Sequence, residues 1–566
     1  MTPVSENSAG RRQWLGLIVL ALGLAMIVLD GTIVGVALPT IITGLDLDLT
    51  DAQWVNALYS VVFAALLLSA GSLGDRWGRR RLFMLGVVVF VAGSALAGAS
   101  QDASALIAAR AVQGLGGAMV LPSSLSTVNA TFRGRDRAVA FGVWGAVMAG
   151  AAAVGPLLGG WLTSSFGWRA IFVVNLPVGL LVVVGALLLV DETRGGPRRR
   201  GLDVDGLLTS ALGFGLMVFG LIEGDSLGWW APKGEFSAFG LVWPAGAAVS
   251  VVPVAIAVGA GFVATFVVWE RHRARVERDA LLDLELFGVP TFSWGNITAM
   301  TVAAGEFAVL FALPLYLMNV LGLSVMGAGW VLAAMALGAF AAGTSARHLS
   351  ARLGPPTVVV VGLGLEVIGA GATALLIGPT TAPALVGALL VVYGVGLGLA
   401  SAQLTSTVLA DIPPASSGAA SATQSTVRQL GSALGTAVAG TVLAAQLGAA
   451  LTARIAAVPG LDATTAAQLV ATLRDSAGSS LVALRAQGAT GQLGAAGPQV
   501  TALLEQGFAQ AVSWAIAVAV AAMVLGLIGA LRVRAVAARR PAAVPPVVTA
   551  APGSAARDDR RCRAAQ

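Results

Sequence analysis

The sequence predicts an all-α polytopic membrane protein of fourteen transmembrane helices, built as two six-helix halves plus two inserted helices. Three observations carry this. The 566 residues are 57% hydrophobic and only 11% charged, with a mean hydropathy of +0.85, whereas a soluble domain carries about 25% charged residues. The apolar residues come in blocks of about 20 or more, long enough to cross a hydrocarbon core of about 30 Å as a helix. Backbone polar groups must be paired inside lipid, which leaves helices or a closed barrel. The alternating segments of about 10 residues that a barrel needs are absent from the sequence.

Spans are expected near 14–39, 52–73, 82–100, 103–124, 137–162, 169–190, 206–224, 242–269, 291–318, 327–348, 356–378, 383–406, 420–446 and 509–531. The positive-inside rule tests the count. Arg11 and Arg12, Arg76 to Arg81, Arg133 to Arg137, Arg194 to Arg200, Arg271 to Arg278, Arg347 and Arg352, and the C-terminal tail all fall in alternate connections. Together they hold 27 of the 34 basic residues. The opposite set holds only Arg169, Lys233, Arg454, Arg474 and Arg485, and Arg110 and Arg428 fall inside spans. A miscounted helix would scramble that alternation. Both termini are therefore expected in the cytoplasm, with the chain in a cell inner membrane.

The expected organisation is a cytoplasmic N-terminus (1–13), a first six-helix half (14–190), an inserted pair with linkers (191–290), a second half (291–531) and a disordered cytoplasmic tail (532–566). The Ala/Gln/Leu-rich stretch at about 447–508 is the one long outer connection and has helical spacing, so short extracytoplasmic helices are expected in it. Arg352-Leu353-Gly354 repeats Arg76-Trp77-Gly78 faintly, each between the second and third helices of its half. Parallel six-helix repeats mark one large class of transporters.

Composition also excludes. The net charge of +6 does not point to nucleic acid, because the arginines are dispersed among connections rather than gathered on one face. Cys562 is the only cysteine, so neither a disulfide framework nor a cysteine metal cluster is expected. Arg11-Arg12 before an apolar run resembles a signal peptide, but no clean Ala-x-Ala site follows, so the segment reads as a retained first helix. Gly224-Asp-Ser-Leu-Gly228 matches a hydrolase pattern, yet it sits in an outer hairpin while His272 and His348 lie on the opposite membrane face. Gly394-Val-Gly-Leu-Gly398 is a packing stretch, and there is no phosphate-binding loop. The chain is read as no enzyme, with no cofactor or metal.

Ionisable residues inside spans are costly and functional by default. Asp30 lies in the outer half of the first span, where a carboxyl in a low-dielectric cavity can take up and release a proton. Arg110 lies well inside the fourth span and needs a carboxylate or carbonyl partner. Glu306, in the ninth, is a candidate second proton site or an attractor for a cationic substrate; the alternative is a residue facing outer water. Glu366 is the weaker candidate. Arg428 is expected at the cytoplasmic edge of its helix.

Two further segments carry a pattern. In Gly71-Ser-Leu-Gly-Asp-Arg-Trp-Gly-Arg-Arg-Arg81 the glycines Gly71, Gly74 and Gly78 allow a tight turn. Asp75 is placed to cap a helix start and to pair with Arg76, Arg79 or Arg80, as a gate that holds the cytoplasmic side shut in one state. Gly155-Pro-Leu-Leu-Gly-Gly160, in the fifth span, suits a packed, pivoting helix interface, since Gly155, Gly159 and Gly160 permit close approach and Pro156 permits a bend.

These residues resemble the major facilitator superfamily and, within it, the fourteen-helix drug:proton antiporter family of the EmrB/QacA type. The resemblance runs from about 14 to 531. It rests on the Gly71–Arg81 loop, on Arg110 with Gln113-Gly114, on Gly155-Pro156 with Gly159-Gly160, and on Asp30 with Thr32, Val34 and Ala37 to Pro39. Trp168-Arg169, Asn175-Leu-Pro177 and Arg428-Gln-Leu-Gly431 also fit. Gly35 and Ala151 depart from it, the family often having Asn and Gly there. The resemblance implies proton-driven export of hydrophobic, often cationic compounds by alternating access, powered by the proton gradient. Candidate proton-coupling residues are Asp30, Arg110 and Glu306; candidate cavity-lining residues are Trp54, Asn56, Tyr59, Gln113 and Glu306. The expected partners are the lipid bilayer, small hydrophobic or cationic substrates and protons, with a monomer favoured. An exporter of lipid or of an endogenous antibiotic is the first rival reading, suggested by 33 arginines against the single Lys233. A non-transporting membrane sensor or scaffold is the second.

Overall fold

The computed structural model describes residues 10–539 except 133, 195–202, 239–240, 277, 279, 413–416, 456–457, 459–462 and 491–492. Arg133, Arg198 to Arg200, Cys562, the first nine residues and the tail from Arg540 lie outside the described residues.

The helices run in chain order as α1 (Arg11–Leu45), α2 (Leu49–Trp77), α3 (Arg79–Ala99), α4 (Ala103–Thr131), α5 (Gly134–Phe166), α6 (Ala170–Val173) and α7 (Asn175–Leu189). Then come α8 (Val204–Glu223), α9 (Val251–Arg275), α10 (Pro290–Leu315), α11 (Val325–Leu353), α12 (Pro355–Leu376) and α13 (Pro383–Val408). The last four are α14 (Ser417–Ile455), α15 (Ala463–Asp475), α16 (Ser480–Gln487) and α17 (Gly497–Ala538). Among the described residues, twelve helical segments, counting α6 and α7 as one, are long and apolar enough to cross a membrane. A thirteenth is α2, if its two parts, which meet at 44°, are one span. The remaining expected span, 137–162, falls on α5, so the count of fourteen is not reached by length and hydropathy alone.

Two boundaries move. Val251, not residue 242, opens α9: Phe236–Ala238 and Leu241–Trp243 pair instead as a short antiparallel hairpin, β1–β2. The stretch at about 447–508, expected to hold short helices, contains α15 and α16, while α14 continues to Ile455 and α17 starts at Gly497.

Local chemistry sets where helices begin. Asp48 accepts from the Asp51 amide at 2.6 Å while Asp51 accepts from the Asp48 amide at 3.3 Å, a reciprocal cap on α2. Asp102 caps α4 through the Ala105 amide at 2.8 Å. Its exposed carboxyl is held below the usual range first by the Ser104 hydroxyl and then by that amide. Asp203 caps α8 and Ser324 caps α11. Pro290, Pro355 and Pro383 open α10, α12 and α13, where the missing N–H costs nothing.

The two halves repeat one frame. Asp46 (φ 53°) and Gly322 (φ 67°) make the same left-handed turn after the first helix of each half. Gly78 (φ 127°) and Gly354 (φ 80°) join the second and third. Each pair is separated by the same offset, as are the caps Asp48 and Ser324 (residue numbers differing by 276). Helix contacts repeat too. In the first half α3 packs on α4, α2 on α4, α1 on α5 and α1 on α7; in the second α12 packs on α13, α11 on α13, α10 on α14 and α10 on α17. The halves meet along two seams, α5 with α11 and α2 with α14. The inserted pair α8–α9 docks through α8 on both α2 and α14.

The largest apolar core bridges both halves at the end where α1 turns into α2. It joins Ile41, Leu47 and Trp168 to Leu317, Leu447, Leu473 and Phe508. At the opposite end the core around Leu17, Phe83 and Val190 belongs to the first half, and the core around Phe292, Leu404 and Ala530 to the second.

Candidate functional site

Asp30 is 1% exposed and Arg110 is 1% exposed, and they face each other across α1 and α4. Burying two charges is tolerable only when every remaining donor and acceptor is met. Here the meeting is thorough. Arg110 Nη1 donates to Asp30 Oδ2 and to Gln113 Oε1 at 2.9 Å. Arg110 Nε donates to the Val55 carbonyl of α2 at 3.1 Å. Gln113 Nε2 donates to Asp30 Oδ1 at 2.9 Å and to Ser94 Oγ at 2.8 Å. Asn175 Nδ2, from α7, donates to Asp30 Oδ1 at 3.2 Å and to Ser94 Oγ at 3.1 Å. The guanidinium also lies over the Tyr59 ring, 4.2 Å from its centroid. Five helices of the first half thus converge on one carboxylate.

This network places the expected residues differently from a simple cavity wall. Gln113 and Tyr59, expected to line a cavity, are buried partners of the Asp30–Arg110 pair. Asn56 is half-buried on α2. Trp54 turns to the inserted pair: its Nε1 donates to Glu223 Oε1 at 2.9 Å, and it packs with Val218, Ile222, Ala433 and Ala437. Ser94 carried no sequence signal, and Asn175 carried only its place in the Asn175-Leu-Pro177 motif.

The second half holds its own buried charge. Glu306, on α10, pairs with Arg428, on α14, at 3.9 Å. Arg428 is therefore not an edge residue, as expected from its position, but the counter-ion of a charge within the span. Its long side chain makes this reach possible, and the Glu306 side chain is only 17% exposed. Glu366, the weaker candidate in the sequence, is fully buried on α12, and neither of its carboxyl oxygens has a hydrogen-bond partner among the described residues.

The Gly155–Gly160 stripe lies on a seam. A side chain at Gly155 would strike Thr32, with its Cβ 2.8 Å away, and one at Gly159 would meet Ile33 at 3.2 Å, both on α1. Gly160 faces the other half, where a Cβ would lie 3.2 Å from the Val325 carbonyl of α11, and Gly329 answers it, where a Cβ would lie 2.9 Å from the Pro156 carbonyl. The repeat returns the first contact: Gly431 and Gly435 of α14 lie against the Met300 and Ala304 carbonyls of α10.

The arginine-rich turn contacts α4 and the connection that follows α7. Arg79 Nη2 meets Asp75 Oδ1 at 2.8 Å, and Arg79 Nη1 donates to the Ser126 carbonyl at 3.0 Å. Arg80 donates its amide to Glu192 Oε1 at 3.0 Å and its Nη1 to the Val190 carbonyl at 3.1 Å. Asp75 lies in the last turns of α2, and α3 begins at Arg79 with Gly78 as its N-cap. A Cβ at Gly78 would lie 2.7 Å from the Glu192 carboxyl. Glu192 was not singled out in the sequence, because it sits in a connection among ordinary charges.

Comparison with known proteins agrees with this architecture. The family profile described as the Major Facilitator Superfamily matches residues 20–436. The chain is 33% identical over 436 residues to the Multidrug resistance protein Stp of Mycobacterium tuberculosis, covering 77% of this chain and 76% of that one. It is 31% identical over 438 residues to the Tetracenomycin C resistance and export protein of Streptomyces glaucescens, covering 76% of each. Among solved structures, a bacterial homologue of the human lysosomal transporter Spinster, in an inward-facing and unoccupied conformation, superposes with a TM-score of 0.61. It covers 93% of this chain and 99% of that one at 18% identity.

Proposed function

The chain belongs to the Major Facilitator Superfamily, a transporter and not an enzyme, and from that premise we propose that it exports hydrophobic, cationic small molecules in exchange for protons. Relatives named for multidrug resistance and for antibiotic export support efflux as the direction of work. The observation that carries the proton coupling is the Asp30–Arg110 pair. Its carboxylate is fully bonded and sealed from water, so a proton can reach it only if the first-half helices shift. Protonation of Asp30 would then release Arg110 and Asn175 together, linking one proton to a change of packing among α1, α4 and α7.

Alternating access needs two seams that can rock. The glycine contacts of α5 on α11 supply a close, backbone-to-backbone surface for that movement, and the α2–α14 seam packs small side chains, Ala57 with Ala433 and Ala437. The bridged apolar core at one end and the separated cores at the other support a conformation sealed on the 447–508 side. By the positive-inside rule that side is outside, so the form described here opens to the cytoplasm, with both termini there. In this reading the Gly71–Arg81 turn belongs to the cytoplasmic gate, with Arg79 and Arg80 steadying it against residues 190–193. Each proton moved with the membrane potential contributes about 2.3 kcal/mol per 100 mV.

The test is reconstitution in liposomes with an imposed pH gradient and ethidium as the transported probe. Gradient-driven ethidium movement that disappears in Asp30→Asn supports the reading. Full gradient-driven movement in Asp30→Asn overturns the role given to Asp30. A second reading, export of one endogenous antibiotic, is favoured by the tetracenomycin relative; ethidium would then stay still while tetracenomycin C moves.

A further inference from the structure

We propose that Glu366 is a second proton-holding site, in the second half of the protein, and that the Glu306–Arg428 ion pair decides whether it keeps or releases that proton. Both Glu366 oxygens lack hydrogen-bond partners among the described residues, and the residue is 0% exposed. An ionised carboxylate left so would cost several kcal/mol, so in this conformation Glu366 is the neutral acid. The side chain has little room to escape: α13 presses Gly396 against it, and a Cβ there would lie 2.5 Å from the Glu366 amide and 3.0 Å from Cγ.

The repeat explains why a carboxyl here is unusual. In the first half Gly116 of α4 packs against the Phe90 amide, and in the second Gly396 packs against the Glu366 amide in the same way. Glu366 therefore fills the place of an apolar phenylalanine. Gln113 corresponds in turn to Tyr393, since a Cβ at Gly93 would lie 2.7 Å from the Gln113 amide and one at Gly369 would lie 2.5 Å from the Tyr393 amide. The Tyr393 hydroxyl is likewise buried and without a partner among the described residues. Glu366 has thus replaced a packing residue, and the hydrogen-bonding capacity of Glu366 and Tyr393 is unspent among the described residues.

The charges acting on Glu366 are Glu306 from α10 and Arg428 from α14, with the Tyr393 hydroxyl of α13 beside them. Helices α11 and α17 also pack on α12 and set no charge against it. Arg428 already serves Glu306 at 3.9 Å, a distance too long for a hydrogen bond. If Glu306 is neutralised, by a proton or by a cationic substrate, Arg428 is free to serve Glu366. The Glu366 O–H bond then breaks, the proton leaves to water between the halves, and the new carboxylate takes Arg428. One cation arriving at Glu306 thereby expels one proton from Glu366. This last step rests on the efflux reading above; the proton site itself does not.

The experiment is infrared difference spectroscopy of the full-length protein in lipid nanodiscs, titrated with acid and base and without any substrate. We expect a protonated-carboxyl C=O band at neutral pH that is absent in Glu366→Gln and retained in Asp30→Asn. In Glu306→Gln that band should lose its proton about one pH unit or more lower, because Arg428 has a single carboxylate left. In Glu306→Gln/Arg428→Gln the midpoint should return. Identical bands in the wild type and Glu366→Gln overturn the site, and an unmoved midpoint in Glu306→Gln overturns the control by Arg428. A protein that passes both yet moves no ethidium fails the efflux reading and leaves the proton site standing.

Discussion

Asp30 and Glu306 stand at the same position of the two halves. The offset that relates the turns at Asp46 and Gly322, and the joints at Gly78 and Gly354, also relates these two carboxyls (306 − 30 = 276). Their surroundings have diverged. Asp30 receives three side-chain donors and is sealed, whereas Glu306 has one long contact and partial exposure. One frame therefore holds a tightly bound charge in the first half and a loosely bound one in the second.

The tight pair should dominate the stability of the first half. Removing one partner of a buried ion pair costs about 3–5 kcal/mol. We predict that Arg110→Ala lowers the unfolding midpoint of the purified protein far more than Arg428→Ala does. Thermal unfolding in detergent, followed by tryptophan fluorescence, checks this; equal shifts would contradict it.

Asn175 should behave as a positioning residue. Asn175→Ala removes one donor from Asp30 Oδ1 and one from Ser94 Oγ, a loss of about 1–3 kcal/mol. Ethidium export should therefore fall without vanishing, and Asn175→Gln, which keeps an amide donor, should recover part of it. Equal and complete loss in both variants would contradict the assignment.

The two glycine seams should differ in what can rescue them. Gly155→Ala meets a side chain, Thr32, while Gly435→Ala meets a backbone carbonyl, Ala304. Overpacking costs about 1–3 kcal/mol. Expression and transport lost in Gly155→Ala should be partly restored by adding Thr32→Gly. No change at Ala304 should restore Gly435→Ala, and a rescue there would count against the close approach.

Arg485 fastens the segment between α14 and α17. Its guanidinium donates to the Val320 carbonyl at 2.7 Å and the Asn319 carbonyl at 3.2 Å, and its Nε donates to Glu505 at 2.9 Å. In Arg485→Ala, protease added outside intact spheroplasts should cleave between 456 and 496 faster than in the wild type. Cleavage only after the cells are opened would reverse the proposed sidedness.

Much of this was legible in the sequence, for identifiable reasons. Asp30 and Arg110 stood out because a charge in an apolar run has few explanations, and they do meet. Arg352-Leu353-Gly354 hinted at the repeat, but the stronger pairing of Gly155 and Gly159 with Gly431 and Gly435 did not. Glycines are common in this chain, and only coordinates reveal which backbone each one touches. Arg428 was misplaced because its reach, not its Cα, sets where the charge resides. Ser94 and Asn175 are ordinary residues whose role arises from three helices meeting.

The inserted pair has a mechanical consequence. Glu223 accepts from Trp54 of the first half at 2.9 Å, while two residues earlier the Leu221 carbonyl accepts from Thr441 of the second at 2.7 Å. One turn of α8 is thus tethered to both moving bodies. When they tilt against each other, at least one tether must stretch or let go. The extra helices then act as a splint across the joint, setting how far it opens and adding resistance that the two halves alone would not feel.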